Sequence, residues 1–263
     1  MRATAAPRAS ETRALSQESR ETVPATPRAV SAEPTVIPLF RPIVDLSTGA
    51  AYGYSTVFRG PLGDDDAAAV FQEAAALKSA GKLGRSLREA LFNTCPDATI
   101  VVPLQRAELN DSWLVRPDDP LYAWENQVYV EITIPALAEL KHAKGILGEM
   151  RSRGVRLVLT GVGVGRGALR GMAELEPHLV ALHPDLTCEL ASEGPMQRLA
   201  AGVVQECRAL GARVIADGVG SLASMFAARD AGAHYARGDY FGAPAERPRR
   251  YDWARLNPRG ARR

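Results

Sequence analysis

The chain has 263 residues, 46% of them apolar and 24% charged, with a formal net charge of +2. That length can bury one large core or two small ones, and so small a net charge argues against a bulk polyanion binder. Cys95, Cys188 and Cys207 stand far apart without a CxxC spacing, which excludes a disulfide framework and a cysteine zinc site and points to the cytoplasm.

Residues 1–34 are rich in Ala, Arg, Ser, Thr, Pro and Glu and lack apolar periodicity, so a disordered N-terminal tail is expected there. Glu11, Glu18, Glu21 and Glu33 argue against a transit peptide, and no segment has the hydrophobic centre of a signal peptide. No apolar run approaches the roughly 20 residues of a membrane span. The next residues alternate strand and helix signals. Strands are expected at 36–44 and 52–59, around the turn Leu46-Ser47-Thr48-Gly49. A helix at 64–80, begun by Asp64, Asp65 and Asp66, is broken by Gly81 and followed by a helix at 83–94. Short β-branched runs at 99–102 and 128–133 suit buried parallel strands, and Pro135 opens a helix at 135–153. Strands at 155–159, 179–182 and 213–216 then alternate with helices at 168–174, 194–210 and 222–231, before a closing segment at 235–241. This alternation indicates an α/β fold with a largely parallel sheet, and the count suits a (β/α) barrel over 35–246. From Glu246 to Arg263 seven arginines face two acids, a net of +5 that leaves the rest of the chain near −3. An Arg-rich C-terminal tail is therefore expected over 247–263, read as a solvated end in preference to one that contacts an acidic partner, a membrane or nucleic acid.

The run Phe40-Arg41-Pro42-Ile43-Val44, the turn, and Gly53-Tyr54-Ser55-Thr56-Val57-Phe58-Arg59 resemble the opening of an EAL domain, a family that hydrolyses cyclic di-GMP. That opening normally reads aromatic-Gln-Pro-Ile-Val and then Glu-Ala-Leu-Leu-Arg, so Arg41 stands for the Gln and Ser55 for the metal-binding Glu. The resemblance extends to Pro244 and implies a TIM-like (β/α) barrel with its site at the C-terminal ends of the strands. In active relatives carboxylates and an Asn there hold divalent metals, which generate hydroxide for attack on a phosphodiester. Here the Asn position is Pro103, and Glu-Leu-Thr-Glu is Glu131-Ile132-Thr133-Ile134. The Asp-Asp-Phe-Gly motif is Thr160-Gly161-Val162-Gly163, Lys-Ile-Asp is Ala181-Leu182-His183, and Ala-Glu-Gly-Val-Glu is Ala216-Asp217-Gly218-Val219-Gly220. Gln-Gly-Tyr is Arg237-Gly238-Asp239. Only Glu131 survives unchanged, with Asp217 as a shortened substitute, whereas a pair of divalent ions needs several anionic oxygens. The resemblance thus implies a domain without phosphodiesterase activity and without a cofactor.

The expected role is that of a regulatory receptor or adaptor for cyclic di-GMP or a related nucleotide. The alternatives are a pure protein-interaction module and, third, a remnant metal-dependent phosphodiesterase. An unidentified protein partner and a homodimer are expected, a nucleic-acid partner is not. Candidate ligand residues are Arg41, Ser55, Val57, Arg59, Arg237 and Pro244, with Arg41, Arg59 and Arg237 converging into a metal-free anion site. Against this stands the reading in which Arg59 pairs with a local acid and the other two are surface residues. Glu131, His183 and Asp217 should end three strands on one face, as a remnant set for one transition metal or as hydrogen-bonded structural groups. The series from Gly161 to Gly167 admits three readings: a loop of small residues, a phosphate cradle at a helix N-terminus, or a dinucleotide turn with Asp185 22 residues after Gly163.

Overall fold

Eight strands with mostly β-branched or aliphatic sequences close into one barrel in the order of the chain. A computed structural model describes residues 36–60, 66–95, 97–110, 112–133, 143–163 and 172–249. The tail expected over 1–34, the tail beyond residue 249 and the glycine series from 164 lie outside them. Strands β1 (Ile37–Asp45) and β2 (Ala51–Arg59) form an antiparallel hairpin in which Leu39 faces Val57 and Arg41 faces Ser55. At its turn Asp45 Oδ1 accepts the backbone N–H groups of Ser47 and Thr48, and Gly49 supplies the positive φ of 74°. The remaining strands are β3 (Ile100–Pro103), β4 (Val128–Thr133), β5 (Arg156–Val162), β6 (Leu179–Leu182), β7 (Arg213–Ala216) and β8 (Tyr235–Ala236). From β2 to β8 every neighbour is parallel; β8 then meets β1 antiparallel and closes the ring.

The strand period of two sorts the side chains. Outward residues such as Val102, Val130, Ile132, Leu157, Leu159, Val180 and Val214 join the core under the helices. Inward residues Ile43, Val101, Tyr129, Val158, Leu179, Ala181, Ile215 and Tyr235 form a separate cluster inside the barrel. One inward step further toward the mouth brings Arg41, Ser55, Pro103, Glu131, Thr160, Asp217 and Arg237. The barrel is thus apolar at its waist and polar at the C-terminal ends of its strands.

The helices named among the described residues are α1 (Asp66–Ala76), α2 (Ala80–Thr94), α3 (Ala143–Ser152), α4 (Pro184–Leu190), α5 (Pro195–Ala209) and α6 (Leu222–Asp230), and residues 172–175, at the end of the segment expected at 168–174, are helical as well. The first break falls at 77–79 and not at Gly81. Lys78 adopts a positive φ of 56° and the backbone N–H of Ser79 returns to the Ala74 carbonyl, which ends α1 locally, while Gly81 is buried inside α2. The start of the helix expected from Pro135 lies outside the described residues. Two features had no sequence expectation: α4, and three 3-10 turns between β3 and β4 at Glu108–Asn110, Ser112–Val115 and Pro120–Tyr122. This connection is fastened to α2 by Arg88, which is 1% exposed. Arg88 donates to Glu108 at 2.6 Å and to both carboxylate oxygens of Asp119 at 3.1 and 2.7 Å. Among the described residues no helix is long and apolar enough to cross a membrane.

Candidate functional site

Tyr235 and Ala236 end in Arg237, and the backbone there is drawn tightly to the end of β7. Arg237 N–H donates to the Ala216 carbonyl and Val219 N–H to that of Arg237. Gly238, at φ 152°, packs so closely that a Cβ would lie 2.3 Å from the Val219 oxygen. This approach sets Arg237 beside Asp217, and both beside Glu131 at the mouth of β4. Arg237 Nη1 donates to one Glu131 oxygen at 2.9 Å, and Nη2 to the other at 2.6 Å and to Asp217 Oδ2 at 2.8 Å. The second Asp217 oxygen accepts the Gly218 N–H at 2.9 Å. The three side chains are only 7%, 9% and 15% exposed. Burial alone would lower the Arg237 pKa, but the Glu131 and Asp217 carboxylates outweigh it and hold the guanidinium well above its ordinary value.

Above this clamp lies a cavity of about 530 Å³, lined among others by Arg41, Ser55, Val57, Gln105, Arg106 and Thr160. Arg41 is pinned less firmly than Arg237: its Nη2 stands 3.7 Å from the exposed Asp239 carboxylate, and its Nε is buried without a hydrogen-bond partner. Ser55 Oγ donates to the Arg41 carbonyl at 3.4 Å. Arg59 and Pro244 line a second cavity of about 470 Å³ with Leu39 and residues 245–249. The expected meeting of three guanidinium groups is corrected accordingly. Arg41 and Arg237 share one cavity, with Arg237 spent on two acids, and Arg59 lines another because its strand position faces Ile37 at the far end of the hairpin.

The remnant metal set is also corrected. Glu131 and Asp217 do meet, but around Arg237. His183 caps α4 instead: its Nδ1 accepts the Asp185 N–H at 3.3 Å and lies 3.5 Å from the Asp185 carboxylate. Among the described residues no three His, Cys, Asp or Glu side chains are placed to hold a metal. The divalent ions attributed above to active relatives of the family do not fit the residues present. Both Glu131 oxygens and both Asp217 oxygens already accept hydrogen bonds, and Pro103, Thr160 and Gly161 bring no carboxylate or amide to the positions of the family's other ligands. Sequence reasoning missed the pairing of Arg237 with the two surviving acids, and the cavity positions of Gln105 and Arg106. Counting two residues from each inward core position would have placed Arg237, Asp217 and Glu131 in one layer.

No curated protein matches the chain in sequence. Solved structures resemble its fold. The EAL domain of FimX from Pseudomonas aeruginosa, solved bound to cyclic di-GMP, aligns with a TM-score of 0.71 at 19% identity, over 83% of this chain and 93% of that one. BlrP1 from Klebsiella pneumoniae, in complex with calcium and cyclic di-GMP, gives a TM-score of 0.67 at 21% identity, over 80% of this chain. The chain spans only 56% of BlrP1. An EAL domain protein from Listeria monocytogenes gives 0.65 at 18% identity, over 80% of this chain and 89% of its own. The EAL domain family matches residues 25–244, five-sixths of the sequence, with the hairpin, the barrel and the clamp all inside that span. The chain belongs to the EAL domain family.

Proposed function

We propose that this protein is a non-hydrolytic EAL domain, a cytoplasmic regulatory module that binds its ligand without turning it over. The observation that carries this reading is the Arg237 clamp. A hydrolytic site of this family needs carboxylate oxygens free to bind divalent ions, and the two surviving acids are tied to a side chain that cannot discharge at any working pH. Losing a single well-placed catalytic group costs orders of magnitude in rate, and here the positions Ser55, Pro103, Thr160 and Ala181 carry no charged group at all.

The ligand assigned is cyclic di-GMP or a related guanine nucleotide, held in the 530 Å³ cavity. Arg41 supports this, because it lines the cavity and its Nη2 is held only by a long 3.7 Å ion pair with the exposed Asp239, which leaves the guanidinium able to turn to a phosphate oxygen. A second reading, a protein-interaction module without nucleotide, is favoured by the neutralised Arg237. Isothermal titration with cyclic di-GMP, first without metal and then with Mg²⁺, separates the two. Metal-independent binding that Arg41→Ala abolishes, with no hydrolysis after prolonged incubation with Mg²⁺ or Mn²⁺, is the expected result. Absence of binding under both conditions leaves the interaction module, and product formation overturns the non-hydrolytic reading.

A further inference from the structure

We infer that Arg237 is a resident cation, which takes over at the barrel mouth the charge balance that divalent ions supply elsewhere in the family, and which closes the site to such ions. This rests on the non-hydrolytic reading above and deepens it. One nitrogen, Nη2, is bonded to Glu131 and Asp217 together, at 2.6 and 2.8 Å, so two carboxylates share a single positive group as they would share a metal. Both are largely withdrawn from water, at 9% and 15% exposure. Two acids so close and so dry repel each other, and each has lost solvation, so the site needs a cation to remain folded with both ionised. The guanidinium meets that need with three directed hydrogen bonds and a planar fork matched to Glu131. It is also attached to the chain and stays protonated, so neither dilution nor pH removes it.

The consequence is testable with the full chain and metal alone, without nucleotide. Thermal unfolding of the unsubstituted protein should be indifferent to millimolar Mn²⁺ or Ca²⁺. Arg237→Gln, which removes the charge and retains much of the length, should unfold several degrees lower. Mn²⁺ should restore that loss saturably, with one ion per chain in a calorimetric titration, because hard cations accept carboxylate oxygens. Adding Asp217→Asn to Arg237→Gln should abolish the Mn²⁺ response. The triple change Glu131→Gln, Asp217→Asn and Arg237→Gln, which is neutral throughout, should fold without any ion and recover most of the lost stability. This variant keeps the inference testable even where Arg237→Gln alone does not fold. A saturable Mn²⁺ response in the unsubstituted protein would overturn the inference, as would a triple variant no more stable than Arg237→Gln, which would make the role one of packing and not of charge. Failure to bind nucleotide removes only the receptor reading and leaves these measurements standing.

Discussion

Arg88 and Gly84 show how strongly one position can govern another in this fold. Arg88 brings a full positive charge into the interior, and Glu108 and Asp119 compensate it there. Burial alone would lower the Arg88 pKa, but the two carboxylates hold it above its ordinary value. Removing one partner of such a buried pair costs roughly 3–5 kcal/mol, because the other charge remains dry and unpaired. Glu108 reaches Arg88 only through the space that Gly84 leaves: a Cβ there would stand 1.8 Å from Glu108 Oε1. Alanine in a helix interior normally gains up to about 1 kcal/mol over glycine. At Gly84 the displaced ion pair should outweigh that gain, so Gly84→Ala is expected to lower the urea midpoint clearly. Gly148 on α3 is the control, since nothing lies within 4 Å of its Cβ position. Gly148→Ala should leave the midpoint unchanged or raise it. A Gly84→Ala chain as stable as the Gly148→Ala chain would show that Glu108 can move aside without penalty.

At the scale of elements, the barrel repeats one device at two strand entrances. His178 precedes β6 and its Nδ1 accepts the Leu157 N–H from β5 at 3.4 Å; His234 precedes β8 and accepts the Val214 N–H from β7 at 3.0 Å. An accepting Nδ1 carries no proton, so each imidazole must be neutral to make its bond. Burial comes first in lowering both pKa values, with Arg156 and Arg151 adding to it at His178 and Arg213 and Arg208 at His234, partly opposed there by Asp45. The folded state therefore binds fewer protons than the unfolded chain once pH falls through the ordinary value of 6.5. The stabilisation is complete above that pH, declines as pH falls toward the lowered folded values, and is lost below them. The unfolding temperature should accordingly fall more steeply between neutral and mildly acidic pH than in a His178→Asn, His234→Asn chain, whose amides accept without titrating; equal slopes would remove the histidines from the account. Strands of this kind were legible in the sequence, since 128–133, 179–182 and 213–216 coincide with β4, β6 and β7. Each is a short run, apolar over most of its length, which suits a strand buried on both faces. The α1–α2 break was not legible, because a left-handed lysine at position 78 carries no sequence signal and a glycine three residues on, Gly81, does.

For the whole molecule, the sequence identified which groups occupy the mouth but not how they pair. Replacement positions such as Arg237 could be counted along the motifs, yet whether that arginine faces a phosphate or two acids depends on how closely β4, β7 and β8 approach, and only the closed ring fixes this. The ring itself is weakest at its seam. β8 contributes two residues, paired with Ile215 and Ala216 on one side and with Val44 and Asp45 on the other. Beyond β8 the chain returns to reinforce the same side: Phe40 and Ala245 exchange backbone hydrogen bonds at 2.7 and 3.0 Å, and Tyr54 Oη donates to the Arg249 carbonyl at 3.1 Å. Phe40 is fully buried, so its N–H without Ala245 is a dry, unpaired donor, a loss of about 1–3 kcal/mol. Ending the chain at Gly242 should therefore speed hydrogen exchange at Phe40 and open the β1–β8 seam, while amides of β4 and β5, held between two parallel neighbours, stay protected. Because Arg237 lies directly after β8, the same truncation should loosen the clamp and weaken binding at the mouth without touching a residue that lines it. Equal loss of protection in every strand would mean that the ring opens as one unit, and that its seam has no separate stability.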